Sequence, residues 1–151
     1  DVADERVTIA KEMGADYAFN IKDMNGSSPA DKVMELTRGW GADIQVEAAG
    51  AAPQTIPQME KSLSSQGKII YLGRAATSTP MYLDVLVSGA NKIIGARGHA
   101  GYGIFPYIIR LLASGKVDLR GMITARYPLE RVMDAIKSSS NRTDGKILIE
   151  M

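Results

Sequence analysis

Three short segments combine small residues with the end of an apolar run: Ala48-Ala49-Gly50, Leu72-Gly73-Arg74 and Ala96-Arg97-Gly98-His99. Where such a run is a strand, glycine and alanine at its exit let a flat ligand approach the backbone closely. The same residues also suit tight turns and helix packing, so spacing alone leaves both readings open. Arg74 and Arg97 are the cations at these exits. Either suits a pyrophosphate or a polar substrate group, or a surface role with its stem along the sheet rim. Glu47 ends an apolar run and has the position of an isolated buried acid. The preferred reading is a carboxylate satisfied by neighbouring backbone or hydroxyl donors. His99 is the single histidine and reads as a rim or pocket residue rather than a metal ligand.

Composition narrows the chemistry. Among 151 residues there is no cysteine, which excludes a disulfide framework, a thiolate zinc site, an iron–sulfur cluster and a cysteine nucleophile. Eighteen Lys+Arg against 17 Asp+Glu leave a net charge of +1, with the cations dispersed among acids, so nucleic acid is not an expected partner. No run is long and apolar enough for a membrane helix, and Asp1-Val2-Ala3-Asp4-Glu5-Arg6 is too polar for a secretory signal. The expected location is cytoplasmic, with no membrane partner. The missing initial methionine predicts a chain that was processed, trimmed, or drawn from something longer.

The elements that must position these residues follow from hydrophobic period. Helices are predicted over 4–13, with Gly14 as its cap, over 30–38, from the Pro53–Pro57 neighbourhood through Leu63, over 81–88, over 105–114 and over 129–138. Prolines 53 and 57 confine one helix start, because proline is tolerated only in a first turn. Strands are predicted at Tyr17–Asn20, Asp43–Glu47, Gly67–Gly73, Lys92–Ala96, Met122–Tyr127 and Lys146–Ile149. The continuous apolar run Lys68-Ile69-Ile70-Tyr71-Leu72 is that of a strand covered on both faces. Alternating strands and helices imply a parallel, doubly wound α/β sheet, whose ligand crevice lies beyond the strands' carboxyl ends. Trp40 sits in a glycine-flanked turn, where it either caps the core or marks an exposed contact.

The order of segments resembles the medium-chain dehydrogenase/reductase superfamily, in its zinc-dependent alcohol, polyol and threonine dehydrogenase branch. The residues that carry the resemblance are 6–17, Gly41-Ala42-Asp43 leading to Val46-Glu47-Ala48-Ala49-Gly50, Gly67 to Gly73, Gly95-Ala96-Arg97-Gly98-His99, Leu112 to Asp118, Ile123-Thr124 with Tyr127-Pro128-Leu129-Glu130, and Asp144 to Leu148. The resemblance implies an NAD-dependent hydride transfer with a secondary alcohol or polyol, zinc in the parent protein, and an incomplete Rossmann-type sheet (its third to sixth strands). By the same resemblance, 1–120 is the C-terminal part of an NAD-binding domain, and 121–151 returns toward a catalytic domain that is absent. Asp1 falls at the ribose-binding acid, which favours NAD over a 2′-phosphate, and Arg6 falls beside that ribose. Ala49, Gly50, Leu72 and Gly73 floor the cofactor crevice, while Ala96, Arg97 and Gly98 approach the nicotinamide. A homodimer through 92–96 is implied as well. The alternatives are a zinc-independent quinone reductase and a non-catalytic association module.

Two departures qualify the resemblance. The phosphate-binding G-x-G-x-x-G is absent, since Gly39-Trp40-Gly41 precedes a strand and Gly98, Gly101 and Gly103 have the spacing reversed. Zinc ligands are absent too. The chain is therefore expected to be a C-terminal portion that binds NAD weakly or not at all by itself and lacks dehydrogenase activity. Loss of the first two strands is expected to leave the 43–47 strand with an open edge.

Overall fold

The computed structural model describes residues 1–97, 101 and 103–151. The chain divides into two compact units, residues 1–25 with 101–151, and residues 26–100.

The second unit begins with a well-determined helix start. Ser28 accepts from the Asp31 N–H while the Asp31 carboxylate accepts from the Ser28 N–H, and Pro29 fills the first turn. This capping box, which satisfies two otherwise orphaned amides, starts the helix α2 (Pro29–Leu36), the second in chain order after α1 (Asp4–Glu12) of the first unit. The Ser28 backbone N–H, followed by its hydroxyl, holds the Asp31 carboxyl below the usual carboxylate range. Then come β1 (Ala42–Glu47), α3 (Ala52–Lys61), β2 (Leu63–Tyr71), α4 (Asp84–Ser88) and β3 (Lys92–Gly95). The three strands form a parallel sheet in the order β1-β2-β3. Val46, Ile70 and Ile94 lie abreast on one face, and Gln45, Ile69 and Ile93 on the other.

Helix α3 packs on the Ile69 face. Ala52 and Ile56 bury against Ile69, with Met59, Leu63, Tyr71, Ala75 and Met81 around them, and the Gln45 side-chain amide donates to the Met59 carbonyl at 3.1 Å. Proline 53 lies in the first turn as expected, but Pro57 sits inside the helix. Burial of Ile56 beside it offsets the backbone hydrogen bond that proline cannot make. The opposite face departs from the two-sided coverage expected of β2. Ile44, Val46 and Ile94 are 62%, 53% and 42% exposed, so α3 covers only one side.

In the first unit, α1 (Asp4–Glu12) closes with Ala15 N–H donating to the Ala10 carbonyl at 3.0 Å. Helix α5 (Ile104–Ala113) precedes β4 (Ile123–Pro128), α6 (Val132–Ser140) and β5 (Lys146–Glu150), and β4 and β5 pair in parallel. Tyr17–Asn20 is not a strand. Among the described residues it has no ladder partner, and strand geometry needs one. It is tied down instead by stacking of Tyr17 on Phe19, with ring centroids 6.4 Å apart, and by the Asp1 ammonium donating to the Phe19 carbonyl. The family order of third to sixth strands thus loses its third member here. The open edge expected of the 43–47 strand is present, since among the described residues β1 pairs with β2 alone. Trp40 is exposed and caps no core.

Because Ile69 is fully buried at the centre of the sheet, Ile69→Ala is expected to lower stability by about 2–5 kcal/mol. Urea unfolding followed by far-UV circular dichroism measures it, and a loss below 1 kcal/mol contradicts this placement of the core.

Candidate functional site

The carboxyl ends of β1 and β2 are joined through one residue. The Glu47 backbone carbonyl accepts from both Leu72 N–H at 2.9 Å and Gly73 N–H at 2.7 Å. Its side chain is 1% exposed. There Oε1 accepts from Ala51 N–H at 3.2 Å and from the Thr55 hydroxyl at 3.4 Å, tying the strand end to the first turn of α3. The expected satisfaction of this carboxylate by local donors therefore holds for one oxygen. Oε2 is buried and has no hydrogen-bond partner among the described residues.

The glycines at these exits have reasons of their own. A Cβ on Gly73 would collide with Glu47 Oε2 and with the Gly50 backbone nitrogen. Gly50 has φ +71°, and a Cβ there would lie 2.9 Å from the Arg74 carbonyl oxygen, in a conformation that side chains disfavour. The sequence left open whether Gly50 and Gly73 are small for a ligand or for close packing. The structure supplies a packing reason, since two loop backbones and a carboxylate interlock beneath the exits. The sequence signal was a carboxylate ending an apolar run with glycines just beyond both strands, and its partner contacts lie 26 residues apart in the chain (47 to 73).

The other predicted residues fall as follows. Ala49, Leu72, Arg74, Ala96 and Arg97 are exposed around the same strand ends, and Ala96 N–H donates to the Tyr71 carbonyl at 2.9 Å, holding the β3 exit beside that of β2. Gly98 and His99 lie outside the described residues. Asp1 and Arg6 belong to the first unit. Asp1 Oδ1 accepts from the N–H groups of Val2 and Ala3, and Oδ2 lies 3.9 Å from an Arg6 guanidinium nitrogen. Arg6 Nε is buried without a hydrogen-bond partner among the described residues.

The first unit also holds an apolar concavity of about 600 Å³, walled by Leu112, Val117, Leu119, Met122 and Leu148. Asp118 and Arg120 pair at its rim at 2.6 Å, and hydrogen bonding from Arg120 holds the Asp118 carboxyl at about 2. The described residues do not fit zinc. Among the described residues no three or more His, Asp or Glu side chains gather in a metal-holding group, and cysteine is absent from the sequence. No helix among the described residues is long and apolar enough to cross a membrane.

A family model described as zinc-binding dehydrogenase matches residues 1–114. The chain belongs to the zinc-binding dehydrogenase family. Scyllo-inosose 3-dehydrogenase of Thermotoga maritima is 30% identical over 136 residues, which are 87% of this chain and 33% of that protein. An alcohol dehydrogenase of Cupriavidus necator is 31% identical over 151 residues, 99% of this chain and 40% of that one. Among solved structures, a short chain alcohol dehydrogenase of E. coli CFT073 complexed with the cofactor NADH superposes with a TM-score of 0.83 at 24% identity, over 100% of this chain and 43% of that one. The chain thus spans about a third to two-fifths of these family members, and its fold is the corresponding part of their α/β architecture.

Removing the space that Gly73 leaves tests the interlock. Gly73→Ala is expected to destabilise the chain by about 1–3 kcal/mol, because the Gly50 backbone cannot give way freely. Urea unfolding measures the change, and a variant as stable as the parent sequence contradicts the geometry.

Proposed function

We propose that this chain is part of an NAD-dependent, zinc-type dehydrogenase that transfers hydride between a secondary alcohol or polyol and nicotinamide. It would supply the second half of the dinucleotide crevice. The supporting observation is the Glu47–Gly50–Gly73 interlock. It holds two parallel strand exits side by side, at the sheet end where such folds bind ligands. NAD, when bound, supplies the hydride acceptor.

On this reading Ala49, Gly50, Leu72 and Gly73 floor the crevice, and Ala96, Arg97 and Gly98 lie toward the nicotinamide. Asp1 offers Oδ2 to ribose hydroxyls, since Oδ1 is already engaged by two backbone amides, and Arg6 flanks it. Residues 1–120 form the coenzyme portion, and 121–151 the return toward a catalytic domain. The zinc chemistry of the whole protein falls to residues outside this chain, so no step through the metal is assigned here. The relatives act, by name, on an inosose and on alcohols, which supports a small hydroxylated substrate. A cytoplasmic location, with neither nucleic acid nor membrane as partner, completes the proposal.

Two measurements test it. The isolated chain is expected to bind NAD weakly or not at all and to lack alcohol oxidation, because the glycine-rich phosphate turn is missing from its sequence. Calorimetry showing micromolar affinity overturns this. The second concerns β3, whose four residues are exposed and whose outer edge has no strand partner among the described residues. A homodimer through residues 92–96 is expected, and a monomeric mass by light scattering at high concentration contradicts it.

A further inference from the structure

Asn25-Gly26 forms a turn between the buried Met24 and the Ser28–Asp31 capping box. Both residues have left-handed backbone, at φ +49° and +83°, which is why this pair suits such a turn. The boundary between the two compact units falls between them. Both are exposed. The Asn25 side-chain amide and the Gly26 N–H have no hydrogen-bond partner among the described residues, and a Cβ placed on Gly26 would meet nothing within 4 Å. Glycine has no side chain to crowd its nitrogen, and an amide already in a hydrogen bond would have to give it up before reacting.

At the other three asparagines a group that such a reaction needs is engaged. Asn20 Nδ2 donates to Asp4 at 2.7 Å, and the following Ile21 N–H donates to the Asp1 carbonyl at 2.9 Å. Asn91 donates to the Val85 carbonyl and accepts from Gly67 N–H. After Asn141, the Arg142 N–H donates to the Ser139 carbonyl at 3.3 Å. The comparable acid-before-glycine pair, Asp144-Gly145, is held as well. Its carboxylate accepts from the Thr124 and Ser138 hydroxyls, and Gly145 N–H donates to the Thr124 hydroxyl oxygen.

We propose that Asn25-Gly26 is a self-modifying site, where Asn25 converts through a cyclic imide to a mixture of aspartyl and isoaspartyl residues. The Gly26 nitrogen gives its proton to solvent base and attacks Asn25 Cγ. An N–Cγ bond forms, the Cγ–Nδ2 bond breaks, and Nδ2 takes a proton from solvent and leaves as ammonia. Water then opens the ring. Cleavage of the new N–Cγ bond leaves an aspartyl residue, whereas cleavage of the original peptide C–N bond leaves an isoaspartyl residue joined to Gly26 through its side chain. No electrons change hands, and water is the co-reactant. Either product adds a carboxylate and lowers the net charge from +1 to zero. The isoaspartyl form also adds a methylene to the main chain at the boundary of the two units. The site stands independently of the dinucleotide reading.

Peptide mapping of the full chain after incubation in heavy-oxygen water at mildly alkaline pH, with electron-transfer fragmentation to separate the isomers, tests it. Position 25 is expected to gain heavy oxygen and to give both isomers, at a rate that rises with pH because the attacking nitrogen must lose its proton. Asn20, Asn91 and Asn141 are expected to stay intact over the same period. Asn25→Gln is expected to lose the signal, because the longer side chain closes a different ring. Gly26→Ala is expected to slow conversion about tenfold, since a Cβ beside the attacking nitrogen raises the barrier. Circular dichroism checks that each variant is folded, and the selectivity within the parent sequence decides the matter if neither is. The proposal is overturned by an Asn25 that stays intact while the denatured chain converts there, or by aspartyl as the only product, which marks direct hydrolysis. Conversion at another asparagine as fast as at Asn25 overturns it too, as does a folded Gly26→Ala variant that converts as fast as the parent sequence.

Discussion

The backbone carbonyl of Glu47 accepts two successive amides, Leu72 and Gly73, just where β1 and β2 end. The geometry of the strand exits depends on that arrangement. It aligns the two exits and places the Glu47 side chain against the turn that starts α3. A larger residue at position 73 would push against Gly50, and one at 50 would push against Arg74. Backbone accessibility at the strand ends is therefore a consequence of close packing beneath them, and the smallness of these residues has a structural cause before any ligand arrives.

The same unit shows how a parallel sheet is stabilised from one side. The connection between β1 and β2 lays α3 over Ile69, while Ile44, Val46 and Ile94 keep substantial contact with solvent on the other face. Parallel strands are normally buried on both faces. The exposed face and the open edge of β1 accord with a chain that spans about a third to two-fifths of its relatives.

Local signals were legible where the chemistry is local. The glycine after α1 and the apolar run around Ile69 each act within a few residues, and helix and strand formed where they pointed. Tyr17–Asn20 has the composition of a strand but no ladder partner, so its fate depended on something its own residues do not encode. The early start of β2 at Leu63 is similar. That segment joins the ladder because Ser62 accepts from Ala42 N–H and Leu63 pairs with Ala42, an event set by chain segments twenty residues apart.

By itself the sequence determined the alternation of helices and strands, the family resemblance, the absence of thiolate ligands and the set of small residues at the strand exits, because periodicity, capping and residue chemistry are properties of neighbours. Only the tertiary structure decided what those small residues face. Gly73 abuts a buried carboxylate, Gly50 abuts a carbonyl, and the buried Thr79 hydroxyl has no partner among the described residues. Each is a contact between residues distant in the chain, fixed by close packing and by the demand that buried polar groups find partners, and neither constraint can be evaluated before the chain has folded.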